Sequence, residues 1–345
     1  MRAVVTGGAG FIGSHVADAL LARGDDVYVL DDLSTGSRVN VPPGAELHQA
    51  DVRDPGPVFE DARPEAVFHL AAQADVRVSV EHPDHDAEVN VLGTVRVLEA
   101  ARPDAVFHLA AQADVRVSVE RPEHDADVNV LGTVRLLEAA RRHGAQVVFA
   151  STGGAIYGEC DGPAAESAPR RPLAPYGTSK LCGEEYLATW NRLHGTRHVS
   201  LRLGNVYGPR QMPHGEAGVV AIFMGLLRDG GTPTIYGDGT QTRDYVFVGD
   251  VARAMIAAFD KDGSVFNKDG SVFNVGTSTE TSVLQLYDAI QRVSGIEREP
   301  RFAPPRLGEL QRSVLDVTLA RRELGWRPER SLEEGLTATW QWITS

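Results

Sequence analysis

Cysteine is scarce. Cys160 and Cys182 are the only two in 345 residues, which leaves no disulfide framework and no zinc-binding spacing, so a reduced, cytosolic setting is the expectation. Long apolar runs are absent: none approaches the ~18 residues of a membrane span. The opening MRAVVTGGAGFIG meets glycine too early to read as a secretion signal. Positive charge is in deficit. Lys and Arg total 34 against 47 Asp and Glu, a net charge of −13, which disfavours general binding to nucleic acid or an anionic membrane. An anionic ligand must therefore be met by a few local Arg side chains or by backbone N–H groups. With 42% hydrophobic and 23% charged residues, the chain is composed like a globular protein rather than a disordered or fibrous one. Its length predicts about two domains.

What the chain does contain is a long internal repeat. Residues 64–102 (PEAVFHLAAQADVRVSVEHPDHDAEVNVLGTVRVLEAAR) recur at 103–141, changed only at Glu65/Asp104, His82/Arg121, Asp84/Glu123, Glu88/Asp127 and Val97/Leu136. The heptapeptide KDGSVFN stands at 261–267 and again at 268–274. Two copies are too few for a solenoid, so both repeats read as duplications. Each long copy is one strand plus one helix. If both strands joined a sheet, the strand ending at Thr152 would move about 4.8 Å further from the first strand. If one copy were left out, Ala66-Val67-Phe68 or Ala105-Val106-Phe107 would lose its cover. The expectation is one docked copy, the other excluded, and an undisturbed spacing between Gly10 and Tyr176. The short repeat is expected to lengthen a loop at small entropic cost.

Apolar runs at 2–6, 26–31, 66–71, 105–110, 146–150 and 198–203 read as buried strands. Helical stretches at 11–23, 87–102, 126–142 and 176–194 lie between several of them. Such alternation predicts an α/β fold, a doubly wound parallel sheet. After about residue 204 glycine and proline become frequent and the alternation stops. Residues 1–203 are therefore expected to form a dinucleotide-binding domain. Residues 204–345 are expected to form mainly a smaller lobe, with the chain returning to the first domain near 244–276.

The first strand runs into Thr6-Gly7-Gly8-Ala9-Gly10-Phe11-Ile12-Gly13, then a helix. Gly7 suits a tight turn, Gly10 the approach of a pyrophosphate, and Gly13 close packing of helix on strand. The helix N-terminus supplies the N–H groups that an acidic protein needs to hold an anion. Asp31 follows Gly13 by 18 residues; a carboxylate there bonds a ribose 2′-OH and repels a 2′-phosphate, favouring NAD over NADP. Further on, Tyr176 and Lys180 share a helix face. A free phenol has a pKa near ~10; a neighbouring ammonium stabilises the phenolate and makes it a usable base. Ser151 and Thr152, at the end of the preceding strand, offer hydroxyls as third partner.

The segments TGGAGFIG, HLAAQ, STGGAIYG, YGTSK, LRLGNVYGPR and GDGTQTRDYVFVGDVARA together resemble the extended short-chain dehydrogenase/reductase family, in particular its UDP-glucose (UDP-galactose) 4-epimerase branch. The resemblance implies a Rossmann domain binding NAD, a nucleotide-sugar lobe and a homodimer. It makes Tyr176 the base, Lys180 its tuning cation and nicotinamide-ribose contact, and Thr152 the hydroxyl partner, with Ser151 the alternative. Phe11, Ile12, Asp32, Ser34, Thr35 and Gly36 would accompany Gly7, Gly10, Gly13 and Asp31 around NAD. Asp51 and Val52 would flank the adenine. Leu70, Ala71, Ala72, Gln73 and Asn90, or their duplicates Leu109, Ala110, Ala111, Gln112 and Asn129, would line the cofactor. In the lobe, Asn205 would meet the diphosphate, and Val219 and Tyr236 would frame the uridine. Phe223 and Glu309 join them as substrate contacts. Arg243 and Arg306 would supply charge. Ser313, small, would leave room for an N-acetylated sugar.

The activity implied is epimerisation at C4 of a UDP-hexose through a 4-keto intermediate. Relatives that dehydrate or decarboxylate nucleotide sugars carry an acid beside the hydroxyl, where this chain has Gly153 and Gly154. A dehydratase or decarboxylase is one alternative. A catalytically silent dinucleotide-binding protein, which the duplication favours, is another. His82, Asp84, His85 and Asp86 have the look of metal ligands, yet Arg121 replaces His82 in the second copy, so no metal is expected. His69 and His108 read as core histidines, Cys182 as packing, and Glu184 and Glu185 as a solvated helix face.

Overall fold

A computed structural model of the chain describes residues 1–345 except 74–77, 79–80, 113, 214–217, 262–270 and 307–308. The chain divides into two compact units. The first comprises Met1–Ser151, Ala174–Leu201 and Ala252–Phe273; the second comprises Thr152–Leu173, Arg202–Val251 and Asn274–Ser345.

Strands β1 (Arg2–Thr6), β2 (Asp26–Asp31), β3 (Glu46–Gln49), β4 (Ala66–His69), β5 (Ala105–His108), β6 (Gln146–Thr152) and β7 (Val199–Leu203) are followed by the shorter β8 (Asn205–Tyr207), β9 (Thr234–Tyr236), β10 (Thr242–Arg243) and β11 (Tyr245–Phe247), then by β12 (Ser271–Val275), β13 (Thr281–Ser282) and β14 (Arg301–Ala303). An eight-stranded sheet takes the order β12-β7-β6-β5-β4-β1-β2-β3. The pairs from β3 through β2, β1, β4 and β5 to β6 are all parallel. In the inner strands β1, β4, β5 and β6 the residues are mostly apolar on both faces because helices cover both. Val4, Val5, Val67, Phe68, Val106, Phe107, Val147 and Phe149 are buried. Helices Phe11–Arg23, Gly56–Ala62, Thr94–Ala101, Gly132–His143 and Pro175–His194 supply the crossovers of the first unit.

Both copies of the long repeat join the sheet, against the expectation that one would be excluded. β4 and β5 lie side by side with identical residues in register: Ala66 opposite Ala105, Val67 opposite Val106, Phe68 opposite Phe107 and His69 opposite His108. The rings of Phe68 and Phe107 stack 4.0 Å apart at 7°. The physical reason is twofold. Each copy begins and ends at equivalent points of a right-handed strand–helix crossover, so a second copy repeats the step without changing hand. Excluding a copy would also return a Phe and a Val to water, at roughly 1.5–3 kcal/mol per side chain. Each copy carries a π-helical segment at the same offset, Glu88–Gly93 and Asp127–Leu131.

In the second unit β8 pairs with β11 and β9 with β14, both parallel, and β10 pairs antiparallel with β13. Its core gathers Tyr207, Phe223, Met224, Ile235, Leu286, Tyr287, Ile290 and Leu336. Among the described residues no helix is long and apolar enough to cross a membrane. Of the short repeat, Ser271–Asn274 of the second KDGSVFN lies in β12; residues 262–270 lie outside the described residues, and with them the expectation of a longer loop.

Candidate active site

β1 ends at Thr6, and Gly7 turns the chain at φ +68°. A Cβ on Gly7 would lie 2.7 Å from the Ala71 nitrogen, and one on Gly13 would overlap the Gly7 carbonyl. Both positions therefore require glycine. Gly10 caps helix Phe11–Arg23, whose first turn carries no acidic residue, which leaves the dipole free to favour an anion. Asp31, buried at the end of β2, accepts the Ala9 and Leu33 N–H groups at 2.9 Å each. Burial raises its pKa and those two bonds oppose the shift. Asp32, Ser34 and Thr35 follow, exposed, and Gly36 lies close against Asp31 and Ala9. Asp51 is clamped by Arg53, 2.6 Å to Nη2, which lowers its pKa. Val52 is buried. Bare backbone at the turn, an unopposed helix N-terminus and a carboxylate beyond it fit the pyrophosphate and ribose of a dinucleotide. Asn40, which sequence reasoning missed, donates from Nδ2 to the Ala9 carbonyl at 3.0 Å; only the fold brings it there.

The two copies repeat each other's internal bonds. Asn90 Oδ1 accepts the Gln73 N–H at 2.8 Å and its Nδ2 donates to the Gln73 carbonyl at 2.9 Å. Asn129 does the same for Gln112, at 3.1 and 2.9 Å. Thr94 and Thr133 donate to the Asn90 and Asn129 carbonyls. The surroundings differ. His69 sits between Thr6 Oγ1, 2.7 Å from Nδ1, and Thr94 Oγ1, 2.8 Å from Nε2. At the register position that Thr6 holds for His69, His108 has His69 itself. The buried His108 Nδ1 has no hydrogen-bond partner among the described residues. His69 and His108 are core histidines, as expected, and burial lowers both pKa values, that of His69 to about 4. Asp86, from the metal-like run, accepts instead from His124 of the second copy at 2.7 Å.

Tyr176 and Lys180 lie in the first two turns of helix Pro175–His194. Lys180 is buried, donates from Nζ to the Ala150 carbonyl at 3.0 Å, and has its ammonium 6.0 Å from the centre of the Tyr176 ring. Burial lowers its pKa to about 8, while Asp125 and Glu184 pull it back up. Glu184 is itself buried, which corrects its reading as a solvated face: four residues after Lys180, it shares that inward side of the helix. Glu185 is exposed. Ser179 Oγ donates to Asp125 at 2.5 Å. Ser151 Oγ is buried with no hydrogen-bond partner among the described residues.

In the second unit, Thr152 is buried. A Cβ on Gly153 would lie 2.5 Å from Leu315 Cδ1, whereas one on Gly154 would meet nothing closer than 3.4 Å. The Arg306 guanidinium stacks 3.8 Å from the centre of the Tyr236 ring. Arg243 donates from Nη1 to the Thr242 and Leu310 carbonyls at 2.8 Å each, with Glu309 3.4 Å from Nη2. Ser313 is buried and its N–H donates to the Thr242 carbonyl at 3.2 Å. Asn205 is exposed on β8 and Val219, half-buried, opens helix Val219–Arg228. Phe223 of that helix is buried edge-on against Tyr287, ring centres 5.4 Å apart.

A parallel sheet with a glycine turn after its first strand and an acid after its second defines a Rossmann-type dinucleotide-binding protein. The family described as NAD dependent epimerase/dehydratase matches residues 3–103 and again 100–276, the two matches meeting at the junction of the long repeat. UDP-glucose 4-epimerase of Mycolicibacterium smegmatis is 45% identical over 347 aligned residues, covering 98% of this chain and 97% of that protein. The crystal structure of UDP-glucose 4-epimerase from Thermotoga maritima with UDP-glucose aligns with a TM-score of 0.79 at 40% identity, covering 99% of this chain and 98% of that one. The enzyme of the same name from Thermus thermophilus, in complex with NAD, aligns with a TM-score of 0.75 at 42% identity, covering 99% of each. This chain belongs to the NAD dependent epimerase/dehydratase family, as its resemblance to the extended short-chain dehydrogenases implied.

Proposed function

We propose that this protein inverts C4 of a UDP-hexose, interconverting UDP-glucose and UDP-galactose with NAD. The observation that carries the proposal is the helix that sets Tyr176 one turn before a buried Lys180, in a chain 40–45% identical to enzymes of that name. Gly7 to Gly13, Asp31 and the turn beyond it would hold NAD. Bound NAD supplies the acceptor and donor of hydride at C4. Tyr176 takes the proton of the 4-hydroxyl and returns it after the 4-keto sugar has turned over. Lys180, its ammonium 6.0 Å from the Tyr176 ring centre, stabilises the phenolate by its charge, and a hydroxyl of Thr152 or Ser151 steadies the sugar oxygen. In the second unit Arg306 and Arg243 meet the diphosphate, Asn205 supports them, and Tyr236 with Val219 frames the uracil. Gly153 and Gly154 put no acid beside the hydroxyl, which leaves the keto sugar no partner for elimination.

The same proposal assigns NAD to the first unit and nucleotide sugar to the second, and includes a cytoplasmic homodimer. Leu92 and Leu131, equivalent residues of the two copies, are 47% and 48% exposed, and Tyr186 and Leu193 are exposed on the Tyr176 helix; such apolar exposure supports self-association. Incubation with UDP-galactose at high enzyme concentration is expected to yield UDP-glucose. Accumulation of a 4-keto-6-deoxy sugar would make the protein a dehydratase instead. Conversion of UDP-N-acetylglucosamine is expected as well, because Ser313 is small.

A further inference from the structure

The long repeat changes the width of the sheet at the place where the proposed chemistry depends on it. β1, which carries the glycine turn, neighbours β4 of the first copy. The turn rests on that copy: Gly7 abuts Leu70 and Ala71, and the Ala71 N–H donates to Thr6 Oγ1 at 3.2 Å. β6, which ends beneath Lys180, neighbours β5 of the second copy instead. The Tyr176 helix rests on that second copy through Ser179 and Asp125. One copy alone would touch both. With two copies, β1 and β6 are three strand spacings apart, about 14 Å, where one copy would leave two, about 10 Å.

We propose that the two copies divide one cofactor site, the first serving the phosphate turn and the second the Tyr176–Lys180 helix, and that the added strand slows hydride transfer in the 345-residue chain. The inference rests on the epimerase reading above. The glycine turn, unchanged beside the first copy, would still hold the phosphates of NAD. Tyr176 and Lys180, held by β6 and the second copy, are carried away from the phosphate turn by one added strand spacing, about 4.8 Å. Hydride transfer requires reacting atoms about 3–3.5 Å apart, and a displacement of ~1 Å is enough to cost about 10²-fold.

The test compares the intact chain with a variant lacking residues 103–141, and with one lacking 64–102 in case the first does not fold. Bound NAD, circular dichroism and epimerisation of UDP-galactose are measured for each. An excised chain that keeps NAD and turns over at least about 100-fold faster supports the proposal. Equal turnover overturns it, as does a failure of both excised chains to fold. Folded, NAD-bearing chains that all fail to epimerise would overturn the epimerase reading itself. A second readout does not depend on turnover. Asn90→Ala, which frees the Gln73 segment beside the phosphate turn, is expected to weaken NAD binding at least fivefold. Its counterpart Asn129→Ala, on the Tyr176 side of the divided site, is expected to weaken NAD binding by less than half that factor. Equal losses from the two substitutions would overturn the division of labour.

Discussion

At the scale of single residues the duplication supplies its own control. His69 and His108 stand at the same position of the repeat. One is bonded on both ring nitrogens, while the Nδ1 of the other has no partner among the described residues. His69→Leu is expected to destabilise the protein by about 2 kcal/mol, because the Thr6 and Thr94 hydroxyls each lose a buried bond to the ring and keep only those to the Ala71 N–H and the Asn90 carbonyl. His108→Leu is expected to be neutral or stabilising by up to about 1 kcal/mol, since it removes a buried polar atom that lacks a bond. Denaturant midpoints of the two variants measure the difference, and equal losses would contradict it. Tyr176→Phe is expected to retain the fold and lose about 10²–10⁴-fold in turnover, the usual worth of a general base; a rate assay beside a melting curve checks both halves. The Tyr176–Lys180 spacing was legible in the sequence because a helix makes positions four apart neighbours. The inward turn of Glu184 was not, since which side of that helix faces the sheet depends on what packs there.

At the scale of elements, the strands and crossover helices of the first unit follow from apolar runs and their spacing. β3 escaped that reading because its ELHQ carries mostly polar residues on an edge of the sheet. The short strands of the second unit escaped it because two- and three-residue pairings leave no period to detect. The KDGSVFN repeat makes a contrasting case to the long one. Its second copy supplies Ser271–Asn274 of β12. Deleting 261–267 removes a heptapeptide without removing a strand residue of β12. Loop-closure entropy changes by only about 0.6 kcal/mol per doubling of length, so the deletion is expected to shift stability by less than about 1 kcal/mol, as read from a melting curve against the intact chain.

At the scale of the whole molecule, buried histidines set the response to acid. Burial holds His69 and His198 near a pKa of about 4 and His108 well below its ordinary value. Unfolded, each takes up its proton near ~6.5. The unfolded chain therefore binds more protons below that point, and stability present above pH ~6.5 is lost as the pH falls towards ~4. At pH ~5.5 His69 and His198 each account for a loss on the order of 1 kcal/mol. Asp31, Asp125 and Asp244, whose pKa values burial raises, act in the opposite sense, regaining stability as the pH falls through their raised values. Melting temperatures are expected to drop between pH ~7.5 and ~5.5, and less steeply in His108→Leu. The sequence by itself determined the glycine turn, the Tyr–Lys pair, the alternation of strand and helix and the existence of the repeat, because each is a matter of local spacing along one chain. Only the tertiary structure decided that both copies are strands of one sheet. Identical βα units carry identical local preferences. What places them is the availability of an in-register neighbour on either side, and that is a property of the assembled sheet.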